Sequence, residues 1–478
     1  MTSHSIPEDI LQLLDLPGIE TKTIKEIYKK LEIKNLEDLE EAAKEKRIRK
    51  LPGMGSKTEL AILRGIGLLH NPPNSFPLGV ATYIGRDLLH ILKSLNTVKN
   101  AAVAGEVRRG QEMVEKIEFV VEAVERNLIK RVLSNHPLVC KTLDDSKKLK
   151  LLTKINLPIY IHFCQGSFFA CLHYFSGNKE YMNEFAKEIE TLGLDLSNIT
   201  SEEEIYFRAN MQFVPPEIRE TPQVIQWAKE NDIPDLVDLK DIKGDLHIHS
   251  NWSDGVNTIE ELIEAAQERG YEFIAVTDHS RSLTVAGGLS IDEIHEQHNI
   301  IYKLNEALSD FKVFTGIEVD ILKAGDLDYP DEIMEQTDLI IASVHNNLRQ
   351  DEETITARVE NAIKNPHVDI LAHPTGRILG RRSCSLIDLE RIFILAEKTG
   401  TAMEINSSPD RLDLNSENVR LAQMFNIPIA INTDAHNIKS LADIELGIKT
   451  AKRGLLTKQS VINTWSKEDL EKWLKKKK

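Results

Sequence analysis

Cysteine is scarce in this chain of 478 residues: four positions, Cys140, Cys164, Cys171 and Cys384, with no CxxC spacing among them. That excludes a disulfide-stapled fold and leaves reduced thiols in a cytoplasmic protein as the expectation. Long hydrophobic runs are missing as well. No apolar stretch approaches the roughly 18 residues of a membrane span, so no membrane partner is expected. The opening segment, Met1 to Asp9, lacks the basic and then apolar run of a signal peptide. Nor is there a surplus of basic charge. The net charge of −16 excludes a broad nucleic-acid-coating surface but leaves room for a local contact. Residues 1–70 hold 12 Lys+Arg and 12 Asp+Glu, a neutral segment within an acidic whole. The basic tail around Lys472 and Lys475 reads as a solvated helix end.

What is present is length and rhythm. A chain this long exceeds one core, so several domains are expected. Residues 1–75 read as short helices around two similar turns, Leu16-Pro17-Gly18-Ile19-Glu20 and Leu51-Pro52-Gly53-Met54-Gly55. Residues 76–222 mix helices with strand-like runs such as Ile117–Val121 and Ile159–Phe163. Residues 223–240, with Ile233-Pro234, form a connecting segment. From 241 to 478 apolar strands alternate with amphipathic helices, the βα rhythm of a parallel sheet or barrel.

Seven apolar runs in that last region end in metal-binding residue types. They lead to His247, His249 and Asp254; to Asp278 and His279; to Glu318; to His345; to His373 and Arg377; to Glu404 and Asn406; and to Asp434 and His436. In a β/α barrel the strand ends share one face, so these side chains converge. One His-x-His is weak evidence, because alternation alone puts both rings on one face. Repetition at strand end after strand end points to a multinuclear site and to hydrolysis by a metal-activated water. The mixed imidazole and carboxylate set suits Mn²⁺, Zn²⁺ or Fe²⁺, with Mn²⁺ favoured. Asp278 is expected to orient a neighbouring ligand. Arg377, and more weakly Arg281, are expected to grip phosphate with a planar fork. His295 and His298 are expected to face solvent.

Residues 240–470 resemble a polymerase and histidinol phosphatase (PHP) domain, a distorted seven-stranded β/α barrel. The resemblance implies three divalent ions. His247, His249, Glu318 and Asp434 would hold one. Glu318, His345 and His373 would hold a second, with Glu318 bridging. Asp254, His279 and His436 would hold the third. Glu318, His345 and His373 would be catalytic.

Leu51-Pro52-Gly53-Met54-Gly55-Ser56-Lys57 resembles a helix-hairpin-helix turn. It implies a sequence-independent contact with the DNA backbone through Gly53, Gly55 and Lys57. The earlier turn carries Glu20 where a glycine belongs. The whole order resembles a bacterial family X DNA polymerase with an appended PHP domain. Ala104-Gly105-Glu106-Val107-Arg108-Arg109-Gly110 is similar to that family's palm motif, and Val214–Glu220 to the end of its thumb. Thr375-Gly376-Arg377 and Ser408–Leu414 are similar to that subfamily's PHP segments.

The expected fold is therefore multidomain α/β: a helical helix-hairpin-helix domain, an α+β palm and thumb, and a C-terminal (β/α)₇ PHP barrel. The departures carry weight. Glu106 replaces a phosphate-holding serine, and Lys116-Ile117-Glu118 replaces the Asp-x-Asp pair that binds Mg²⁺. No Asp or Glu occurs from Lys147 to Lys179, where the third aspartate belongs. The family's N-terminal lyase-type module has no counterpart. The resemblance thus implies a metal-dependent phosphoesterase acting on DNA 3′ ends, without polymerase activity. A small-molecule phosphatase of the histidinol-phosphatase kind and a non-catalytic DNA-repair scaffold are the alternatives, and an active polymerase is the least favoured.

Overall fold

The structure, a computed structural model, describes residues 35–51, 73–145 and 148–477, with single positions between 23 and 66. The chain divides into two compact units. The first contains the described residues up to Phe76 together with Leu88–Ala101 and Glu115–Phe163. The second contains Pro77–Asp87, Ala102–Val114 and everything from Cys164 onward.

In the first unit the helix Leu36–Lys44 starts at Asn35, whose side chain accepts the Asp38 N–H at 2.7 Å. Such a cap satisfies a donor that the first helical turn leaves unpaired. The buried face of the helix, Leu39, Ala42 and Ala43, joins Ile27, Ile33, Ile48, Met54, Ile62 and Ile66 in a small core. A five-stranded sheet follows: β1 (Val98–Ala104, of which Val98–Ala101 lie in this unit), β2 (Ile117–Ala123), β3 (Val139–Asp144), β4 (Lys148–Thr153) and β5 (Pro158–Phe163), in the order β1-β2-β5-β4-β3. β2 and β5 are parallel, with Glu118 opposite Tyr160; β4 runs antiparallel to β5 and β3. Strict alternation along β4 buries Leu149, Leu151 and Thr153 and turns Lys148, Lys150 and Leu152 to the other face.

The second unit is built around seven strands: β6 (Gly244–Ile248), β7 (Phe273–Val276), β8 (Lys312–Asp320), β9 (Leu339–Ser343), β10 (Ile370–Leu371), β11 (Ala402–Asn406) and β12 (Ile429–Asn432). They lie in sequence order, every neighbouring pair parallel. All seven are almost wholly buried, as continuously apolar strands with both faces covered should be. Helix starts between them are written in the sequence: Thr258 with Glu261, and Ser290 with Glu293, each form a reciprocal capping box.

The first and last strands meet at one end, where the His249 N–H donates to the Ala435 carbonyl at 2.9 Å. Asp245 assists from below, accepting from the Thr433 N–H and hydroxyl. The barrel interior holds Leu246, Phe273, Phe314, Leu339, Ile341 and Ile370, and the C-terminal residues Ile462, Leu470 and Leu474 pack onto it. A separate core beneath the helices Lys179–Thr191, Glu202–Arg208 and Gln223–Glu230 surrounds the fully buried Arg219, which donates to Glu202 and to the Val214 carbonyl.

Candidate metal centre

The seven strands deliver their C-terminal side chains to one spot, with Glu318 of β8 at the middle. Its Oε1 lies 3.1 Å from His373 Nε2 and 3.3 Å from His345 Nε2. Its Oε2 lies 2.7 Å from His279 Nδ1 and 3.6 Å from both His247 Nε2 and His249 Nε2. Asp434 Oδ1 stands 3.1 Å from His249 Nε2 and 3.6 Å from His247 Nε2. Asp254 reaches in from the loop after β6, 3.3 Å from His436 Nε2 and 3.5 Å from His279 Nε2. All nine residues of the expected ligand set are thus in one cluster. Three subsets have ligand atoms close enough to share an ion: His249, Asp254, His279 and His436; His247, His249 and Glu318; His279, Glu318 and His345. His249 and His279 each stand between two of the expected groups.

The donor set fits cations. His247 Nε2, both ring nitrogens of His249 and His373 Nδ1 are buried without a hydrogen bond, and His279 Nδ1 and Glu318 Oε2, though 2.7 Å apart, are not aligned to bond each other. Buried polar atoms left unpaired are costly unless something else binds them. Burial alone would raise the Glu318 pKa; the imidazoles of His345, His279 and His247 outweigh it and hold the carboxyl well below its usual range. Burial lowers the His279 and His345 rings, and the Glu318 carboxylate overrides it, pushing them up to about 10 and about 9. A cation bound to these atoms would take the place of those protons. Two of the nine sit in the left-handed backbone region, His373 at φ 29° and Asp434 at φ 55°. Such conformations cost of order 1–3 kcal/mol each and cluster at functional sites.

A second layer fixes the rings. Glu404, on β11, accepts from His247 Nδ1 at 2.8 Å, from the His373 N–H at 2.8 Å, and from Asn432 and Asn406. Asp320 accepts from His345 Nδ1 at 2.6 Å. These two carboxylates hold the opposite nitrogens of their rings, so the tautomer that points Nε2 inward is set. Neither is marked for this role by the sequence, although Glu404 stands at the end of the sixth run and Asp320 two residues past Glu318.

Other expectations need correction. Asp278 acts on the cluster through the backbone: its carboxylate accepts from the Ser250 N–H and hydroxyl, from Ser253 Oγ and from Gln297 Nε2, tying down the loop that carries Asp254, and its carbonyl accepts from the Glu318 N–H at 3.2 Å. Arg377 has no fork to offer. Its guanidinium donates to the Arg411 and Leu412 carbonyls and to Glu112 Oε2. Arg281 is held by the Asp328 carboxylate and carbonyl. The cation that does reach the cluster is Arg411, whose Nε lies 3.6 Å from Asp434 Oδ2. It sits in the Ser408–Leu414 motif, where nothing in the sequence marks it for the cluster. His298 is not solvent-facing. It is 4% exposed, and burial brings its pKa down to about 4.

In the first unit the triplet expected to carry polymerase carboxylates is closed on itself. Glu118 Oε1 meets His162 Nε2 at 3.1 Å, and Oε2 meets Lys116 Nζ at 3.2 Å. At the hairpin, Arg49 binds the buried Glu59 carboxylate at 2.6 Å. Gly55 is exposed, with open space where a Cβ would stand. Gly53, Lys57 and the earlier turn at Leu16–Glu20 lie outside the described residues.

A barrel of seven parallel strands with histidines and carboxylates at its strand ends defines a class. The PHP-domain family model matches residues 245–408, and a model for a SAM-like helix-hairpin-helix tandem matches residues 10–67. Over 98% of its length the chain is 36% identical to the DNA polymerase/3′-5′ exonuclease PolX of Bacillus subtilis (strain 168), 85% of which it covers. The chain belongs to that family, the bacterial family X DNA polymerases with a C-terminal PHP domain. About half of it, 49%, is 31% identical to a probable phosphatase of Thermoanaerobacter sp. (strain X514) across 95% of that protein. A crystal structure of histidinol phosphate phosphatase from Lactococcus lactis matches 44% of the chain at 20% identity, with a TM-score of 0.34.

Proposed function

We propose that this chain is a metal-dependent phosphoesterase that trims or dephosphorylates DNA 3′ ends, a cytoplasmic repair enzyme on a polymerase scaffold without polymerase activity. The observation that carries this is the gathering of eight further potential ligands about Glu318, with buried ring nitrogens unpaired, in a member of a polymerase/exonuclease family. Bound cations would polarise the phosphoryl oxygens and supply an ionised water.

The protein's own groups do the rest. Glu318, through two oxygens facing different imidazoles, is the bridge between ligand sets. Glu404 and Asp320 hold the His247 and His345 rings in register. Arg411 is the phosphate clamp at the rim, taking the role first expected of Arg377. Once cations neutralise Asp434, its guanidinium is the nearest side-chain cation to an incoming ester. Three divalent cations would exceed the charge of Asp254, Glu318 and Asp434, which favours an anionic substrate.

Lys116, bound to Glu118, is a positive charge where a polymerase needs a Mg²⁺ ligand, and this supports loss of nucleotide addition. The match of the barrel half to probable phosphatases supports a second reading, a small-molecule phosphomonoesterase. The test is Mn²⁺-dependent release of nucleotides or phosphate from 3′-recessed and 3′-phosphate duplexes, run beside histidinol phosphate and beside primer extension with Mg²⁺ and four nucleotides. The expected result is cleavage of DNA, abolished in His345→Ala, with no extension. Faster turnover of the small ester selects the second reading, and unchanged cleavage in His345→Ala overturns both.

A further inference from the structure

Three lysines meet one tyrosine on the face of the first unit's sheet opposite its core. Lys148 and Lys150 project from β4, Lys116 precedes β2, and their Nζ atoms lie 4.8, 5.4 and 5.8 Å from the centre of the Tyr160 ring on β5. Lys141, which pairs with Leu152 from edge strand β3, is exposed on the same face. The carboxylate beside them, Glu118, is already answered by Lys116 and His162. Among the described residues, neither Lys148 nor Lys150 has a carboxylate within ion-pair distance. The chain itself places no Asp or Glu between Lys147 and Lys179. In a protein of net charge −16, this is a concentration of unanswered positive charge.

Ammonium groups this close repel one another. The ring quadrupole of Tyr160 offsets part of that, at about 0.5–1 kcal/mol per contact on an exposed surface. An anion would offset more. We propose that this face binds the phosphate backbone of single-stranded DNA, with Lys116, Lys148 and Lys150 on phosphates and Tyr160 against a base.

A sheet face carrying an aromatic ring among cations is the arrangement that suits unpaired strands, whose bases are open to stacking. A duplex hides its bases. A nucleoside triphosphate in a palm is held through divalent ions on carboxylates, and here a lysine occupies that place. The choice of DNA as the polyanion rests on the function proposed above; the anion site itself does not.

The test reads binding of a fluorescein-labelled oligothymidylate to the full-length protein by anisotropy, in EDTA, across a salt series. The Lys148→Gln/Lys150→Gln variant should bind about tenfold more weakly. Its slope of log K against log salt should be shallower by about 1.4, two phosphate contacts at about 0.7 each. Lys148→Arg/Lys150→Arg should restore the slope. Tyr160→Leu should weaken the oligothymidylate but not an abasic deoxyribose-phosphate polymer. Mn²⁺-dependent hydrolysis of bis(p-nitrophenyl) phosphate should be unchanged in all three. An unchanged salt slope in the Gln variant overturns the proposal, as does displacement of the oligonucleotide by thymidine triphosphate but not by inorganic triphosphate. Because binding is read without metal, a dead phosphoesterase leaves this site standing, and a failed binding test leaves the phosphoesterase standing.

Discussion

At the residue scale two of the cluster's rings, His247 and His345, have their outer nitrogens held by carboxylates, Glu404 and Asp320. Glu404→Gln keeps the volume but replaces the carboxylate facing His247 Nδ1 with an amide. Metal affinity should fall 10–100-fold, and high Mn²⁺ should restore kcat, whereas His247→Ala should not recover at any metal concentration. Titrating activity against free Mn²⁺ distinguishes them. The two arginines separate in the opposite sense. Arg377→Met leaves Glu112 and two carbonyls unpaired in a nearly closed setting, and should cost about 3 kcal/mol of stability with kcat preserved in the folded fraction. Arg411→Met should leave the melting temperature within a degree or two and lower kcat/KM at least tenfold. A preserved kcat/KM in Arg411→Met removes it from the site. The convergence of the nine side chains is legible because strand ends share a face and alternation decides which side chains point in. Arg377 misled because a sequence shows a donor-rich side chain but not the carbonyls that consume it.

At the element scale, the strands and their order could be read from seven apolar runs, and the helix starts from Thr258 and Ser290. The helix Ile291–Ala307 carries its buried face openly in its sequence. Ile294, His298 and Ile301 recur at helical spacing and form its buried face. Neutral burial of His298 has a pH signature. Its folded pKa is about 4 against about 6.5 unfolded, so between those values the unfolded chain takes up a proton that the folded one refuses. Stability should therefore fall as pH drops from about 6.5 to about 4, by about 3 kcal/mol from this ring, and level off on either side. Urea melts of the metal-free protein should show a shallower loss in His298→Gln; parallel curves refute the assignment. The helix Ile444–Arg453 is placed by one glycine. A Cβ on Gly447 would lie 2.0 Å from Ser407 Oγ and 2.8 Å from Ile431 Cγ2. Gly447→Ala should destabilise by about 1–3 kcal/mol, and adding Ser407→Ala should recover part of it, a coupling that a double-mutant cycle measures.

At the scale of the whole molecule, what the sequence could not reveal is which distant segments join the barrel's own unit. Gly79 packs against Pro409, Tyr83 donates to Asp443, Arg86 pairs with Glu445, and Lys449 donates to the Val107 carbonyl. Each is a contact across some 330 residues of chain or more, made by side chains that look like ordinary surface residues in a sequence. Through them the segments Pro77–Asp87 and Ala102–Val114 belong to the unit that carries the candidate metal centre. That unit also holds the cost of the centre: buried carboxylates, unpaired ring nitrogens, and His373 and Asp434 in left-handed backbone. Cations bound only by the folded state offset this cost. One site filled at a hundred times its Kd adds about 2.7 kcal/mol. Calorimetry of the full chain should accordingly show a transition that falls by several degrees in EDTA and returns with Mn²⁺. Glu318→Gln, which removes the charge shared by two of the ligand sets, should show a much smaller rise with Mn²⁺ than the wild-type protein. Identical scans of the wild-type protein in EDTA and in Mn²⁺ would mean that the nine side chains are a polar cluster satisfied by their own protons, and the hydrolytic reading would fall with them.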